Sequence, residues 1–292
     1  MKIIDTFLYN GDVIAPFHIK YLYDTVDEFI IIESWETHSG TRKDTLFFNI
    51  FKKDFEPYMK KITYLLIDTF PNNISNEWKP EIWMINKTYS SWYRENYHRD
   101  FVINYLQTNH SSEKYVLYCG DVDEIPNKDV LQALRNNDLE FNNIIENDII
   151  YLEMTFFYYN FQWKKFYNWY HPFITTHIFI NKQNPYQQTL SKIRTLKGTN
   201  PKYIKNAGWH CSFFMGYQDI KRKIESFAHL EYNLDSYKNE EIIFECINHG
   251  KDIFSRGIME DLIKCPIEDA SYSMTLPIGW EDIQCKLKLL QN

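Results

Sequence analysis

Tyr115-Val-Leu-Tyr-Cys-Gly-Asp121-Val-Asp123-Glu124-Ile-Pro126 is an apolar run that stops at a glycine, three carboxylates and a proline. A short β-rich apolar run bounded by turn residues reads as a buried strand. In an open α/β sheet, ligands bind just beyond the carboxyl ends of strands. Side chains two apart in an extended segment point the same way, so Asp121 and Asp123 are placed to face one point. Two carboxylates aimed at one spot repel unless a cation lies between them. Hard oxygen donors of this kind suit Mg²⁺ or Mn²⁺, shared with substrate phosphates. An acidic-x-acidic triplet carries little weight alone, because 39 acidic residues among 292 produce several by chance. The setting gives this one its force: an apolar strand, a glycine hinge, then a helix start at Ile125-Pro126-Asn127.

Outward from this stretch, strand-like and helix-like pieces alternate. Ile3 to Leu8, Phe29 to Glu33 and Ile62 to Ile67 read as strands, with helical patterns around Phe17 to Tyr23, Glu81 to Leu106 and Asn127 to Arg135. Such βαβ alternation predicts an α/β fold with a mainly parallel central sheet flanked by helices. Further strands are expected at Ile149 to Phe157, Phe173 to Ile180 and Trp209 to Met215, and helices near Asp219 to Phe227 and Glu240 to Ile247. No internal repeat or low-complexity linker divides the chain. The expectation is one domain over residues 1–292, with 235–292 as a C-terminal helical extension.

Composition narrows the function classes. A net charge of −7 and a pI near 5.7 argue against nucleic acid as the main partner, since phosphate backbones call for a basic surface. The five cysteines are odd in number and form no C-x-x-C, so reduced thiols are expected rather than a zinc ribbon or disulfide framework. No apolar run approaches a membrane span. Met1-Lys-Ile-Ile-Asp-Thr-Phe-Leu reads as a first strand rather than a signal peptide, which predicts a cytoplasmic protein. The N-x-S/T triplets at Asn73, Asn86 and Asn109 would then go unused.

Other constellations each have a bland reading beside a functional one. Trp92, Glu95, Arg99, Val102 and Leu106 fall on one helix face, where Glu95 and Arg99 are spaced to pair. A structural ion pair is the bland reading; the functional one has Arg99 or Glu95 supporting the metal loop or facing the donor. Glu33, Thr37, His38 and Ser39 lie just past the second strand, where small polar groups suit a nucleotide's ribose or base, although such loops are usually only loops. Aromatics crowd residues 156–170; most fill a core, with Trp163 or Trp169 the candidates for stacking on a sugar. His210 is either a hydrogen-bonded core histidine or a further metal contact through a neutral ring nitrogen. Lys251 and Arg256 are cations suited to phosphate oxygens.

Together these segments resemble glycosyltransferase family 17, the family of beta-1,4-mannosyl-glycoprotein 4-beta-N-acetylglucosaminyltransferase. The pieces that carry the resemblance are Asp5-Thr-Phe, Val26-Asp-Glu-Phe, Glu33-Ser, Thr37-His-Ser-Gly40, Trp92-x-x-Glu95-x-x-x-Arg99, Gly120-Asp-Val-Asp-Glu-Ile-Pro126, Gly208-Trp-His-Cys-Ser212, Ser226-Phe-Ala-His-Leu-Glu231 and Gly250-Lys-Asp. It implies a GT-A-like nucleotide-diphospho-sugar transferase fold, a UDP-sugar donor (most simply UDP-N-acetylglucosamine), Mn²⁺ or Mg²⁺, inversion at the anomeric carbon and a glycan or glycoprotein acceptor. The sequence reads as departing from animal members by having no Golgi anchor, and on that expectation a bacterial or viral enzyme acting on another glycan fits equally. Within this reading Asp121 and Asp123 hold the metal directly or through water, with His210 as an added contact. Inversion requires a base near the acceptor hydroxyl: Glu231 is the first candidate, Asp252 the second and Asp219 the third. Glu124 is expected to cap or brace the following helix. A metal-dependent phosphoesterase and a carbohydrate-binding protein on an inactive transferase fold are the rival classes.

Overall fold

The computed structural model describes residues 1–71, 89–136, 149–183, 189–197, 200–257 and 262–291. Its strands are β1 (Lys2–Leu8), β2 (Glu28–Ser34), β3 (Ile62–Ile67), β4 (Tyr115–Cys119), β5 (Glu124–Pro126), β6 (Ile150–Leu152), β7 (Thr155–Tyr158), β8 (Asn160–Lys164), β9 (Phe173–Thr176), β10 (Lys202–Ile204), β11 (Gly208–Ser212) and β12 (Ile263–Lys264). The longer helices are α1 (Ala15–Leu22), α2 (Tyr89–Asn109), α3 (Lys128–Arg135), α4 (Thr189–Thr195), α5 (Tyr217–Ser226), α6 (Glu240–His249) and α7 (Trp280–Gln291).

Every residue of β2 is buried, from Glu28 through the run of isoleucines to Ser34. A strand covered on both faces belongs in the interior of a parallel sheet. It lies there, in a seven-stranded sheet ordered β10-β6-β9-β4-β1-β2-β3. β1 pairs in parallel with β2 and β4, and β2 with β3. β9 runs antiparallel to both β4 and β6, whereas β6 and β10 are parallel. Six strands therefore share one direction and β9 alone opposes them.

The pleat sends alternate side chains to opposite faces, and helices cover both. On one face Ile3, Phe7 and Ile31 pack with Ala15, Ile19 and Leu22 of α1 and with Leu131 and Leu134 of α3. On the other, Ile4, Ile30, Ile32 and Leu117 meet Val102, Ile103 and Leu106 of α2 and Leu190 of α4. Full burial of one such aliphatic side chain contributes about 1.5–3 kcal/mol.

A second sheet, ordered β12-β8-β7-β11-β5, is absent from the sequence reading. The chain enters it where the single expected strand at 149–157 divides. β6 stays in the first sheet, Met154 forms a bridge to Trp169, and β7 begins in the second. Phe156 and Tyr158 face α5 and α6 through Ile220, Ile224, Ile243 and Ile247. Phe157, Trp209 and Cys211 face α7 through Ile283 and Leu287. Both faces of β7 are thus apolar, and periodicity could not show that the run serves two sheets.

Other boundaries differ for local reasons. The strand expected at 173–180 ends at Thr176, and His177–Ile180 form a helical turn. The strand expected at 209–215 stops at Ser212, because Phe213 takes φ +57°. Glu124–Pro126 form a strand rather than a helix start, and Asn127 caps α3 by accepting from Asp129 N. Residues 81–88 of the expected long helix lie outside the described residues; α2 runs on from Tyr89. Segment 235–291 is mostly helical where described and also supplies β12, which pairs with β8. Among the described residues no helix is long and apolar enough to cross a membrane. All five cysteines are free.

Candidate active site

β4 delivers the acidic loop to the carboxyl end of the parallel strands, between the two sheets. Gly120 allows the turn to close: a Cβ there would lie 2.4 Å from Tyr118 Oη. The loop is then fixed from several sides. Asp121 N donates to Glu124 Oε2 at 2.7 Å, and Glu124 N to Asp121 O at 2.9 Å. Tyr118 Oη donates to Glu124 O at 2.8 Å, and Cys211 N to Asp123 O at 2.6 Å. Behind Val122 lies a fully buried pair, Asp5 and His18. A carbonyl can only accept, so His18 Nδ1–H donates to Val122 O at 2.9 Å, while its Nε2 meets Asp5 Oδ2 at 2.8 Å.

Every carboxylate of the loop meets a cation, and Arg194 serves two of them. Asp121 lies between two guanidiniums, Arg99 Nη1 at 2.8 Å from Oδ1 and Arg194 Nη2 at 2.6 Å from Oδ2. Burial works against the charge, yet Arg194 and Arg99 hold the Asp121 carboxyl well below the usual carboxylate range. Glu124, wholly buried, accepts from Arg194 Nη1 at 2.8 Å and Nη2 at 2.5 Å and from Trp169 Nε1 at 2.5 Å. Here too burial opposes ionisation and Arg194 prevails, so the carboxyl stays below its ordinary value. Glu124 does not cap α3: both its oxygens turn inward to Arg194, and Asn127 takes the cap.

Asp123 behaves differently. Lys223 Nζ lies 3.0 Å from Oδ2 and is shared with Asp12 at 3.1 Å. Burial outweighs this partner, and Asp12, Asp121 and Glu124 add like charge, so the carboxyl is pushed up to about 6. Its Oδ1 is 3.8 Å from His210 Nε2, beyond hydrogen-bond range. The His210 ring lies against Phe156 and Trp169, with both centroids 4.4 Å away. It is 6% exposed, and its Nδ1 has no hydrogen-bond partner among the described residues. Burial lowers it to about 4, which keeps the ring neutral at pH 7.

Of the donor-side candidates, His38 and Arg99 meet at α2. His38 Nε2 lies 3.0 Å from His98 Nδ1, and His38 Nδ1 lies 3.9 Å from Glu95 Oε2. Glu95 Oε1 is 3.4 Å from Arg99. Thr37 Oγ1 and Ser39 Oγ are 2.8 Å apart, and Ser39 N donates to Ser226 O, fastening this loop to the end of α5. Glu33 is engaged inside the protein. It accepts from Phe47 N, Phe48 N and Tyr64 Oη and pairs with Lys43, at 0% exposure.

The base candidates occupy distinct settings. Glu231 is partly exposed and accepts from His229 Nδ1 at 2.8 Å; the His229 ring meets Trp92 of α2 edge-on at 4.6 Å. Asp252 is buried and held by Arg256, with Nη2 at 2.6 Å, and by Lys165 at 3.5 Å. Arg256 is therefore committed to Asp252, whereas the Lys251 side chain is exposed. Asp219 pairs with Arg222 on the same helix. Trp163 packs over Gly250, away from the acidic loop, and Trp169 touches it through Glu124.

Arg194, Lys223, Asp12 and His98 escaped the sequence reading. A usable signal existed for two of them. Lys223 stands three residues from Ile220 and one from Ile224, and Arg194 four from Leu190, so each cation sits on a buried apolar stripe, as Arg99 does. His98, four residues from buried Val102, shares that stripe but is no cation, and Asp12 has no such mark.

For a divalent cation the donor set is partial. Among the described residues no group of three or more His, Cys, Asp or Glu side chains is arranged to hold a metal. Both Asp121 oxygens are taken by arginines. Asp123 Oδ1 and the His210 ring are the groups left to offer, and Asp123 carries a charge that its surroundings do not fully balance. Mg²⁺ and Mn²⁺ commonly bind through one or two carboxylates and complete their shells with water and phosphate oxygens, so this pair fits such an ion.

The carboxyl end of the parallel strands thus gathers Asp121, Asp123 and Glu124 against Arg99, Arg194 and Lys223. Residues 1–261 match the family description Glycosyltransferase family 17. The chain belongs to that family, and is accordingly a glycosyltransferase acting on a sugar donor and an acceptor. No curated protein matches it significantly.

Proposed function

We propose that the protein is an inverting, metal-dependent transferase of GT-A-like fold that moves a sugar, N-acetylglucosamine first among candidates, from a UDP-sugar to a glycan hydroxyl. The observation that supports this most is Asp123: an acid at the carboxyl end of the parallel sheet, buried among like charges, with one oxygen free beside a neutral His210. Asp123 and His210 would hold Mn²⁺ or Mg²⁺. The ion would act as a Lewis acid that steadies charge on the departing diphosphate. Asp121 and Glu124, locked to Arg99 and Arg194, keep the loop in place for this. Lys223, a quarter exposed, can present its ammonium to a phosphate oxygen from beside Asp123. Glu231 is the preferred base: it is within reach of solvent and oriented by His229, whereas Asp252 is fastened to Arg256.

The test is incubation with UDP-sugars, Mn²⁺ and a glycan panel, scored by UDP release and by mass gain on the glycan. Thermal stabilisation by each nucleotide sugar gives a parallel readout, because a ligand that prefers the folded state raises its stability. Mass gain with UDP-N-acetylglucosamine upholds the reading. Phosphoester cleavage without mass gain, or glycan binding without UDP release, would overturn it in favour of a phosphoesterase or a lectin-like protein.

A further inference from the structure

His38, His98 and Ile32 form a hydrogen-bonded chain whose proton positions follow from its far end. The Ile32 carbonyl can only accept, so the proton in the 2.9 Å contact belongs to His98 Nε2. His98 is 3% exposed, and burial together with neighbouring His38 holds it well below the ordinary histidine value, so it is neutral. Its Nδ1 then carries a lone pair and must accept from His38 Nε2–H at 3.0 Å. His38 is likewise held neutral, pushed by burial down to about 4. Its remaining nitrogen, Nδ1, is therefore a bare acceptor.

That acceptor faces another. Glu95 Oε2 lies 3.9 Å from His38 Nδ1, and the two side chains are 24% and 18% exposed respectively. Two acceptors with no proton between them repel until donors arrive from outside. The separation exceeds a direct hydrogen bond, yet oxygens at roughly 2.8 Å from each acceptor fit across it. Glu95 cannot swing away freely, because its other oxygen is tied to Arg99, which in turn holds Asp121. The gap is thereby coupled to the acidic loop.

We infer that His38 Nδ1 and Glu95 Oε2 form a receptor for adjacent hydroxyls of a sugar ring, with His98 as the positioning residue that fixes the His38 tautomer. A vicinal diol supplies two O–H donors side by side, one for each acceptor. The ribose of a nucleotide and the pyranose of an acceptor share this chemistry. The inference rests on the transferase reading for its ligand, and on the tautomer chain for its geometry.

The experiment is ¹⁵N NMR of the histidine rings in the full chain at pH 7, with His38 assigned by the signal lost in His38→Gln. The free protein should show His38 Nδ1 unprotonated and His98 Nε2 protonated. UDP, 2′-deoxy-UDP and the methyl glycosides of N-acetylglucosamine, mannose and galactose are then added, with binding heats recorded on the same samples. A His38 Nδ1 signal that moves with UDP but not 2′-deoxy-UDP, with the deoxy analogue bound about five- to tenfold more weakly, assigns the ribose. A signal that moves with a glycoside assigns the pyranose. Glu95→Gln offers its own N–H to His38 and should abolish the response. His98→Phe should release the tautomer and weaken binding, and His98→Asn, which keeps an acceptor, should restore both. A protonated Nδ1 in the free protein overturns the inference, and so does an Nδ1 signal that no ligand moves. UDP that binds without moving it, when no glycoside does either, refutes the receptor but leaves the transferase standing. A glycoside response without UDP binding sinks the nucleotide donor alone.

Discussion

Replacing Asp123 with Asn should make the metal-free protein more stable above pH 6 while it abolishes sugar transfer. The folded carboxyl titrates at about 6 against an ordinary 3.8, because burial and the nearby Asp12, Asp121 and Glu124 oppose its charge more than Lys223 favours it. Between these two pH values the folded state binds the proton that the unfolded chain has lost, so stability falls as pH rises. Below about pH 4 both states are protonated and nothing is lost. Above about pH 6 the whole cost is present, roughly 3 kcal/mol at about 1.4 kcal/mol per pH unit. Asparagine keeps the shape and an acceptor for Lys223, which retains Asp12 at 3.1 Å, but carries no charge to bury. Denaturant unfolding from pH 4 to pH 8 in EDTA measures the difference. Asp123→Asn should match the wild type at pH 4 and exceed it by about 2–3 kcal/mol at pH 8. A variant no more stable than wild type at pH 8, or a difference that does not change with pH, would refute the reasoning.

Three further expectations use the same protein. Arg194→Met strands the buried Glu124 charge and should cost about 3–5 kcal/mol in denaturant unfolding, much of it recovered by adding Glu124→Gln; a loss under 1 kcal/mol would contradict the pairing. Glu231→Gln should lower kcat about 100-fold or more with donor KM unchanged, and a normal kcat removes Glu231 as the base. Gly208→Ala places a Cβ 2.2 Å from the Ile125 carbonyl oxygen at φ +152°; about 2–4 kcal/mol of destabilisation should appear by thermal or denaturant melting, and a neutral result would show that β5 and β11 can separate.

Much of the first sheet is legible in the sequence because β1, β2 and β4 at its centre are buried on both sides and read as mostly apolar runs. The run Phe29–Ile32 admits few readings but an interior strand. The second sheet is not legible, since β5 and β12 span three and two residues, too few for any periodicity, and β7 continues the apolar run of β6. At the site, Asp121 and Asp123 announce themselves by spacing and setting. Their different environments do not, because Arg194, Lys223 and Asp12 reach them from segments 73, 100 and 111 residues away. Tertiary charge partners of this kind leave no local pattern. His98 is the plainest case: its role depends on a carbonyl 66 residues earlier in the chain.

The region that matches the family ends at residue 261, yet the molecule does not close there. Gln284 Oε1 accepts from Phe161 N, and Gln291 Nε2 donates to the carbonyls of Tyr159 and Met215. Ile283 and Leu287 lie over Phe157, Phe161 and Cys211, and β12 finishes the outer border of the second sheet. A fragment trimmed to the shared portion would leave those aromatics bare and several main-chain groups without partners. The tail, outside the family match, is thus built into the second sheet as firmly as the strands it covers.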